Sequence, residues 1–471
     1  MKLVSTPTRL LLTAILAGVA FSTNLLAYTK AGTTYTTTGA QSDVAAAISN
    51  ASPGDTVNIP AGTFTWGATG ALSVNKAITL SGAGQTATTI PLATTGPTYG
   101  NGTISIEAAA TVKSFGVNQS GTANTTVFSA VVADGWRITD ILYNSGAVRG
   151  YFVFAETYGL IDSCTINGGG GTDELIFARG HTDSWQTPSS MGTGNAIFIE
   201  DCTFNNDGYV CDMNSNARGV IRFCTINGNM KVDGHGVASN TPARSVRHME
   251  VYDNDWKIGP GAYYTAMEIR GGTGMIFDNV ADNASSSHWF FLTDYGYLNI
   301  WPNFNNLYQT PANYPIKDQI GVGMDPKAAA SEPMYVFNNL KAGSLWLREL
   351  KDVPAAASTA YGSTFYETDL IAADRDFFWQ TSTSFNGSSG VGRGTKSQMQ
   401  AITPTKKGVG YWVTNEGEWN SLQSGFDGQL YVWSGSAWVL KYTPYTYPHP
   451  LRGPPAAPAA PSNTAISISV P

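Results

Sequence analysis

Ile161-Asp-Ser-Cys-Thr-Ile-Asn167 recurs further along the chain as Ile199-Glu-Asp-Cys-Thr-Phe-Asn205 and Ile221-Arg-Phe-Cys-Thr-Ile-Asn227. Looser copies surround these three, so that the fourth position of the phrase falls at residues 115, 141, 164, 202, 224, 254 and 279. Apolar alternation inside each copy, with Gly and Asn between copies, predicts strands rather than helices. Intervals of 22 to 38 residues are typical of a solenoid of strands with variable loops.

We call the fourth position of each copy the marker position. Coils stacked about 4.8 Å apart would place the marker residues above one another. The expected column contains Cys164, Cys202 and Cys224, followed by Asn254 and Asn279. We predict a buried stack of thiols, with a structural disulfide as the alternative. The sequence shows no cationic neighbour that would lower a thiol pKa, so we assign these cysteines no catalytic role.

The composition excludes several classes of protein. The chain has 471 residues, of which 42% are hydrophobic and 13% are charged, and its formal net charge is −7. This much apolar content in a long chain excludes disorder and a small disulfide-dependent scaffold. With 27 basic against 34 acidic residues, no cationic excess is present to neutralise phosphates, so we expect no nucleic-acid partner.

The N-terminus resembles an export signal. Lys2 and Arg9 precede an apolar run from Leu10 to Phe21, which predicts a signal peptide over residues 1–27, with an uncleaved membrane anchor as the alternative. We expect a β-helix domain with its closing segment over 28–452 and a Pro/Ala-rich tail over 453–471. The predicted mature protein is secreted to the periplasm or the extracellular space, has no membrane span and is monomeric.

The start of the predicted domain resembles a known superfamily. Asp43-Val-Ala-Ala-Ala-Ile48, Ser52-Pro-Gly-Asp-Thr-Val-Asn-Ile-Pro-Ala-Gly62 and Ile78-Thr-Leu-Ser-Gly-Ala-Gly84 are similar to the opening of pectate-lyase-like proteins. The resemblance covers most of residues 35–452. It implies an all-β fold, a right-handed parallel β-helix with an N-terminal capping helix. It reports the fold far more specifically than the chemistry.

A second strand-like phrase follows each copy of the repeat, and each of these phrases ends in a charged residue. Because their distances from the preceding marker are similar, we predict that the charges share one column on an outer wall. The predicted column consists of Glu156, Arg179, Asp212, Asp233, Arg270 and Asp294. The alternative is that these charges pair with one another and only solvate the surface.

The resemblance implies a polysaccharide lyase that cleaves an acidic, uronate-containing polymer by β-elimination. That reaction needs a cation to neutralise the uronate carboxylate and a base to remove the neighbouring proton. Ca²⁺ is one candidate cation and an arginine is another. The candidate catalytic residues are Lys231, His235, Arg247 and Arg270. The candidate substrate-binding residues are Arg179, His181 and Arg244. The candidate Ca²⁺ ligands are Asp212, Asp233 and Glu268.

Two other functions fit the same sequence. A glycoside hydrolase needs two facing carboxyl groups, for which Asp212 and Asp233 are the candidates. A non-catalytic carbohydrate-binding or adhesive protein would instead stack sugar rings on aromatic side chains. Candidate platforms for such stacking are Trp185, the stretch His288–Phe291 and Trp301.

Overall fold

The structure is a computed structural model. It describes residues 28–67, 70–92, 102–119, 125–145, 150–169, 174–236, 244–257, 266–282, 290–292, 318–323, 332–345, 348–349, 354–355, 365–366 and 371–453. The predicted signal peptide and all but the first residue of the predicted tail lie outside these ranges. Within them, no helix is both long enough and apolar enough to cross a membrane.

Short strands are the main regular element of the described chain. The first nineteen are β1 (Thr29–Ala31), β2 (Thr34–Thr36), β3 (Thr56–Asn58), β4 (Gly62–Thr63), β5 (Leu72–Val74), β6 (Thr79–Ser81), β7 (Thr88–Leu92), β8 (Ile104–Ile106), β9 (Thr111–Gln119), β10 (Thr125–Val131), β11 (Trp136–Asn144), β12 (Gly150–Ala155), β13 (Gly159–Asp162), β14 (Thr165–Asn167), β15 (Ile176–Arg179), β16 (Ile197–Glu200), β17 (Thr203–Asn205), β18 (Asp207–Asn214) and β19 (Arg218–Arg222).

The later strands are β20 (Thr225–Asn227), β21 (Asn229–Gly234), β22 (His248–Tyr252), β23 (Asp255–Lys257), β24 (Met267–Ile269), β25 (Thr273–Phe277), β26 (Val280–Ala281), β27 (Phe290–Leu292), β28 (Met334–Phe337), β29 (Leu340–Lys341), β30 (Ser344–Leu345), β31 (Arg348–Glu349), β32 (Pro354–Ala355), β33 (Phe365–Tyr366), β34 (Phe377–Trp379), β35 (Val391–Gly394), β36 (Gly410–Val413), β37 (Gln429–Trp433) and β38 (Trp438–Tyr442). Within the described residues, the helices are α1 (Gln41–Asn50), α2 (Lys396–Gln400) and the 3₁₀ helix Pro450–Arg452.

Parallel pairing between distant segments organises the chain into two long sheets. Over the described residues, sheet 1 has 22 strands and sheet 2 has ten, the latter being β5, β8, β10, β12, β15, β18, β21, β24, β27 and β31. In sheet 1, Leu160 pairs with Phe198, and Phe198 pairs in turn with Val220. In sheet 2, Phe177 pairs with Asp212, which pairs with Asp233. The structure therefore confirms a mostly β chain with parallel sheets.

The marker residues line up as the repeat predicts. Thr165, Thr203 and Thr225, each one residue after a marker cysteine, pair in register, and Thr225 pairs with Asp255. Further along the column, the Asn254 side-chain amide donates to Asn279 Oδ1 at 3.0 Å, and the Asn279 amide donates to Asn339 Oδ1 at 2.7 Å. Buried amides that donate and accept along the stack satisfy one another, which holds successive strands in register.

A second asparagine ladder runs three positions after the markers. Its members are Asn118, Asn144, Asn167, Asn205 and Asn227. Each of the four hydrogen bonds between neighbouring amides is 2.7 Å long. These side chains are only half-buried, so water competes with this ladder more than with the inner one.

The residue before each marker makes the chain bend. Ser163, Asp201, Phe223 and Asp253 have φ between 50° and 56°, a left-handed conformation that non-glycine residues seldom adopt. One such residue between two strands turns the chain from one strand direction to the next. Each copy of the repeat therefore specifies two strands and the bend between them.

All four cysteines are free and buried, so no disulfide forms, and the register of the strands stacks Cys164, Cys202 and Cys224 as predicted. The Cys202 thiol donates to the backbone oxygen of Glu200 at 3.2 Å, and the Cys164 thiol donates to that of Asp162 at the same distance. Burial raises the pKa of Cys164 and of Cys224. These thiols serve as small apolar side chains of the core.

Two apolar clusters stabilise the fold. The larger lies between the sheets and includes Val44, Ala47 and Ile48 from α1, which are spaced to place one helix face against the strands. The second lies on the outer face of sheet 1, under the C-terminal sheet β35–β38 and the segment after it.

A buried ion pair ties the C-terminal segment to sheet 1. Arg222 Nε donates to Glu200 at 2.8 Å, and other guanidinium nitrogens of Arg222 donate to Tyr252 Oη at 2.8 Å and to the Thr446 backbone oxygen at 2.8 Å. The Arg222 and Glu200 side chains are fully buried. Because both charges are paired and hydrogen-bonded, they fix where the segment lies on the sheet.

We predict that Asn279→Ala destabilises the protein strongly, because it removes the middle of the inner ladder. The buried backbone N–H of Asn254 loses its acceptor, and Asn339 Oδ1 loses one of its two donors. Each unsatisfied buried group costs about 1–3 kcal/mol. Asn118→Ala, at the half-buried end of the outer ladder, is the matched control and should cost less than about 1 kcal/mol. The free energy of unfolding measured in urea tests this, and equal losses for the two variants would contradict it.

Candidate functional site

A cluster of charged side chains lies on the outer face of sheet 2. It consists of Asp212 and, on the following strands, Lys231, Asp233, His235, Glu268 and Arg270, and we call it the charged cluster. Strand alternation produces it, since Met230 and Val232 belong to the apolar core while Lys231 and Asp233, at the intervening positions, do not.

Parallel register brings acids and bases together across strands. Asp212, Asp233 and Glu268 occupy one register position on β18, β21 and β24. Lys231 donates a hydrogen bond to Glu268, and its ammonium group also lies 3.9 Å from Asp233. Arg270 donates to Asp233. Two ion pairs therefore link the neighbouring segments, one between Lys231 and Glu268 and the other between Arg270 and Asp233.

The cluster is only partly shielded from solvent. The side chains of Asp233 and Lys231 are 1% and 7% exposed, while those of Arg270 and Glu268 are 13% and 25% exposed. Glu268 of β24 and Arg270, which directly follows that strand, therefore form the accessible edge of the cluster, and Asp233 forms its base.

Two neighbouring carboxyl groups at the base have raised pKa values. Burial, reinforced by the Asp233 charge, raises the pKa of Asp212 well above its ordinary value. Burial also raises the pKa of Asp233 to about 6, although Arg270 and Lys231 oppose this. Asp212 Oδ1 and Asp233 Oδ1 are buried and accept no hydrogen bond from the described residues. The protonated form of Asp212 is therefore favoured more than in an exposed aspartate.

Lys231 and Glu268 are held in their charged forms. Burial disfavours the Lys231 ammonium group, but Asp233 and Glu268 outweigh it and raise the pKa of Lys231. Burial likewise disfavours the Glu268 carboxylate, but Arg270 and Lys231 outweigh it and lower the pKa of Glu268. The Lys231 ammonium group also lies 4.2 Å from the centre of the Tyr209 ring. A lysine held so firmly as a cation is a poor base, which argues against that predicted role.

His235 is the neutral member of the cluster. Burial, together with the Arg270 charge, lowers the pKa of His235 to about 4. Its Nδ1 lies 2.9 Å from the backbone oxygen of Gly236, which places the ring proton on Nδ1 and the lone pair on Nε2. His235 and Arg270 directly follow the paired residues Gly234 and Ile269, so the imidazole and the guanidinium occupy matching positions on adjacent strands.

The predicted single column of six charges is wrong in its register. Arg179 pairs with Asn214, two residues beyond Asp212, and Arg270 lies two residues beyond Glu268. The charges therefore occupy neighbouring columns of the same face, because Glu268, which the column omitted, takes the position expected for Arg270. Glu156 lies just beyond the end of β12, and Asp294 lies outside the described residues.

Arg179 extends the face toward the N-terminus. Its guanidinium lies 4.8 Å from the centre of the Phe177 ring, and Phe177 pairs with Asp212. The Arg179 side chain is exposed. His181 lies farther along the same segment, with its ring 4.6 Å from that of Tyr158 and its Nε2 3.9 Å from Asp134. The structure shows no contact between His181 and the charged cluster.

Arg244 and Arg247 flank Val246, whose backbone N–H donates to the His235 backbone oxygen, but both guanidinium groups are engaged elsewhere. Arg244 forms a two-pronged pair with Asp318, at 2.8 and 2.7 Å. The fully buried Arg247 donates to the Ser184 backbone oxygen at 3.0 Å and to Glu332 at 2.8 Å. Both guanidinium groups lie within 5 Å of the Trp185 ring, at 4.7 and 4.9 Å from its centre. They hold the loop around Trp185, so we include neither in the proposed site.

The predicted Ca²⁺ ligands do not form a fitting calcium site. Asp233 and Glu268 are already paired with Arg270 and Lys231, and Asp212 favours its protonated form. Calcium prefers six to eight oxygen ligands of charged or carbonyl type. Among the described residues, no group of three or more His, Cys, Asp or Glu side chains is arranged to hold a metal ion. Calcium binding therefore stays a prediction, and no step below uses it.

Sequence reasoning missed the aromatic neighbours Tyr209 and Phe177. Tyr209 and Asp212 are three residues apart, a spacing that would place them on opposite faces of a regular strand. The register between β18 and β21 shifts between Tyr209 and Cys211, so Tyr209 contacts Lys231. No pattern in the sequence shows such a bulge. Phe177 lies within a run of apolar residues. Residue type therefore does not show which members of the run face the core and which face outward.

Comparisons with known proteins give distant structural likeness. An alginate lyase from Paenibacillus sp. str. FPU-7 superposes with a TM-score of 0.32 and 14% identity, covering 54% of this chain and 96% of that chain. A pectin methylesterase in complex with a hexasaccharide gives a TM-score of 0.31 and 13% identity, covering 51% and 74%. No protein-family profile and no curated protein matches the sequence. Likeness this weak assigns neither a family nor an activity.

We predict that Arg270→Gln raises the pKa of Asp233 above its value of about 6, because the variant removes a cation that stabilises the carboxylate. A carbon-13 NMR titration of the aspartate carboxyl groups measures this. Arg393→Gln, at an exposed arginine of the C-terminal sheet, is the matched control and should leave the Asp233 titration unchanged. An unchanged titration in Arg270→Gln would contradict the assigned ion pair.

Proposed function

We propose that the protein is a secreted polysaccharide lyase that cleaves a uronate-containing polymer by β-elimination on the outer face of sheet 2. We further propose that the two sheets belong to a right-handed parallel β-helix of the pectate-lyase-like class. Crossovers between parallel strands of one sheet are almost always right-handed, and the residues that carry the resemblance fall on α1, β3 and β6.

One observation carries the proposed activity. A neutral imidazole at His235 lies at a position matching that of the permanent cation Arg270, with the cation Lys231 on the same face. Elimination from a uronate requires both a proton acceptor and positive charge within one sugar ring of each other. Solubility alone does not account for a buried histidine beside an arginine.

The proposed reaction begins with binding of the uronate carboxylate at Arg270. A second anion beside Asp233 would raise the Asp233 pKa further, from about 6, so that Asp233 takes up a proton. Protonation of Asp233 frees the charge of Arg270 for the substrate. The same guanidinium then stabilises the negative charge that develops on the substrate carboxylate when the neighbouring proton leaves.

His235 Nε2 accepts that proton from the carbon next to the carboxylate. The electron pair forms a carbon–carbon double bond, and the glycosidic bond to the leaving oxygen breaks. The leaving oxygen needs a proton, and the half-buried Tyr209 hydroxyl supplies one, because burial raises its pKa and keeps the phenol protonated. The substrate anion also raises the pKa of His235, which makes it a stronger base in the complex than in the free protein.

Glycoside hydrolysis is the second candidate, and the paired carboxyl groups favour it. Asp212 and Asp233 lie at one register position on adjacent strands, and both have raised pKa values. A protonated acid beside an ionised carboxylate is the arrangement that hydrolysis requires. Both carboxyl groups are nearly fully buried, whereas attack on a polymer requires direct access, so we rank hydrolysis below elimination.

The products distinguish the two reactions. We predict that incubation with uronate-containing polymers generates unsaturated uronates, seen as new ultraviolet absorbance, and that a calcium chelator leaves the rate unchanged because Arg270 and Lys231 supply the positive charge. New reducing ends without new ultraviolet absorbance would establish hydrolysis instead. Absence of both, with retention on an immobilised polymer, would establish a binding protein.

We predict that His235→Gln lowers kcat by about 10²–10⁴-fold, the usual contribution of a general base. The control Arg393→Gln should leave the rate unchanged. In the wild-type protein kcat/KM should fall as the pH drops through about 4, because protonation of His235 at its lowered pKa removes the lone pair. A rate that stays constant across that range, or an active His235→Gln variant, would contradict the assignment.

A further inference from the structure

A second cleft lies between the last strands of sheet 1 and the C-terminal sheet. It has a volume of about 560 Å³ and shares no residue with the charged cluster. We call it the C-terminal cleft. The lining residues that matter here are Arg375, Lys407, Lys441, Asp374, Trp433 and Tyr335.

The pairing of the strands in the C-terminal sheet places two lysines near Trp433. Gly408 N donates to the Trp433 backbone oxygen at 2.9 Å, which places Lys407 beside the end of β37. Lys441 is the extra residue of a bulge, since Leu430 pairs with Tyr442 and Tyr431 pairs with Leu440. Bulges of this kind redirect a side chain, and this one gives the cleft a second ammonium group.

The lining of the cleft carries an excess of positive charge, with Arg375, Lys407 and Lys441 against the one carboxylate of Asp374. Arg375 is paired with Asp376, and Asp374 accepts a hydrogen bond from Gly390 N at 2.9 Å. Lys407 and Lys441 are exposed, and neither forms an ion pair within the part of the chain that the structure describes. In a chain with a net charge of −7, two such lysines in one cleft favour an anionic ligand.

The aromatic side chains that line the cleft indicate which kind of anionic ligand it suits. Trp433 is half-buried, and its ring lies 5.6 Å from that of Trp438. Trp433 also lines a neighbouring groove of about 440 Å³ with Tyr431, Trp438 and Lys396. Lys396 is already paired with Glu416, so an extended ligand that crosses Trp433 would meet the available lysines on the cleft side of this aromatic face. Aromatic faces beside ammonium groups suit sugar rings that carry carboxylates.

We propose that the C-terminal cleft is a second, non-catalytic binding site for an acidic oligosaccharide, with Lys407 and Lys441 pairing with uronate carboxylates and Trp433 packing against a sugar ring. The proposal rests on the proposed function for the identity of the ligand. A site of this kind would hold one stretch of the polymer while the charged cluster acts on another, which raises the effective concentration of substrate at the cluster.

The test is isothermal titration calorimetry of full-length His235→Gln protein with tetrasaccharides of uronic acids. We expect two binding sites per chain. Adding Lys407→Ala and Lys441→Ala should remove one site or weaken it at least tenfold. Lys406→Ala, which removes the same charge from an exposed residue outside the cleft, is the matched control and should leave both sites intact. A neutral tetrasaccharide should not occupy the cleft.

Unchanged stoichiometry and affinity in the double lysine variant would overturn the proposal, as would equal binding of the neutral tetrasaccharide or no binding of any acidic one. The proposed function fails separately, when the wild-type protein yields no unsaturated product. In a wild-type background, the double lysine variant should retain its turnover of tetrasaccharides and lose turnover of long polymers at low concentration. Equal losses on both substrates would indicate general damage and contradict a separate binding site.

Discussion

Parallel pairing at one fixed register is the constraint on which the other features of the structure depend. Lys231 and Glu268 are 37 residues apart, yet they form an ion pair because their strands are neighbours in sheet 2. The buried ladder of Asn254, Asn279 and Asn339 supports this register in sheet 1. A slip of one residue would turn the charged cluster into the apolar core, where unpaired charges cost several kcal/mol.

The repeat made the register of sheet 1 predictable. Residues of one type at one position, such as the marker cysteines, can satisfy the same environment on every strand, so their recurrence along the chain predicts the stacking. Sheet 2 lacks such a repeat. Its charges differ from strand to strand, and the loops that precede them differ in length, so counting from the marker misplaced Arg270 by two residues relative to Glu268. The sequence therefore predicted that these charges lie on one outer face of sheet 2, but it did not predict which of them share one register position.

Residue type alone also did not predict which cations are available to bind a ligand. Arg244 and Arg247 follow the Lys231–His235 stretch closely in sequence, yet Arg247 holds the loop at Trp185 through buried hydrogen bonds and the Arg244 guanidinium lies against the Trp185 ring. Sequence proximity could not reveal this, because their partners Asp318 and Glu332 are more than 70 residues away. The role of His235 was open for a related reason: its lowered pKa depends on burial and on Arg270, and both follow from tertiary structure.

Two groups of buried charges in this protein differ in what they accomplish. Arg222 and Glu200 are fully buried, and Arg222 spends its donors on a carboxylate, a tyrosine and backbone oxygens of the C-terminal segment, as expected of a structural pair. In the charged cluster, Asp212 and Asp233 each keep a buried oxygen that accepts no hydrogen bond from the described residues. Apolar side chains at these positions would continue the column begun by Val153 and Phe177 and would stabilise the fold more. Stability alone therefore does not account for the cluster, which supports our proposal that it binds substrate and transfers a proton.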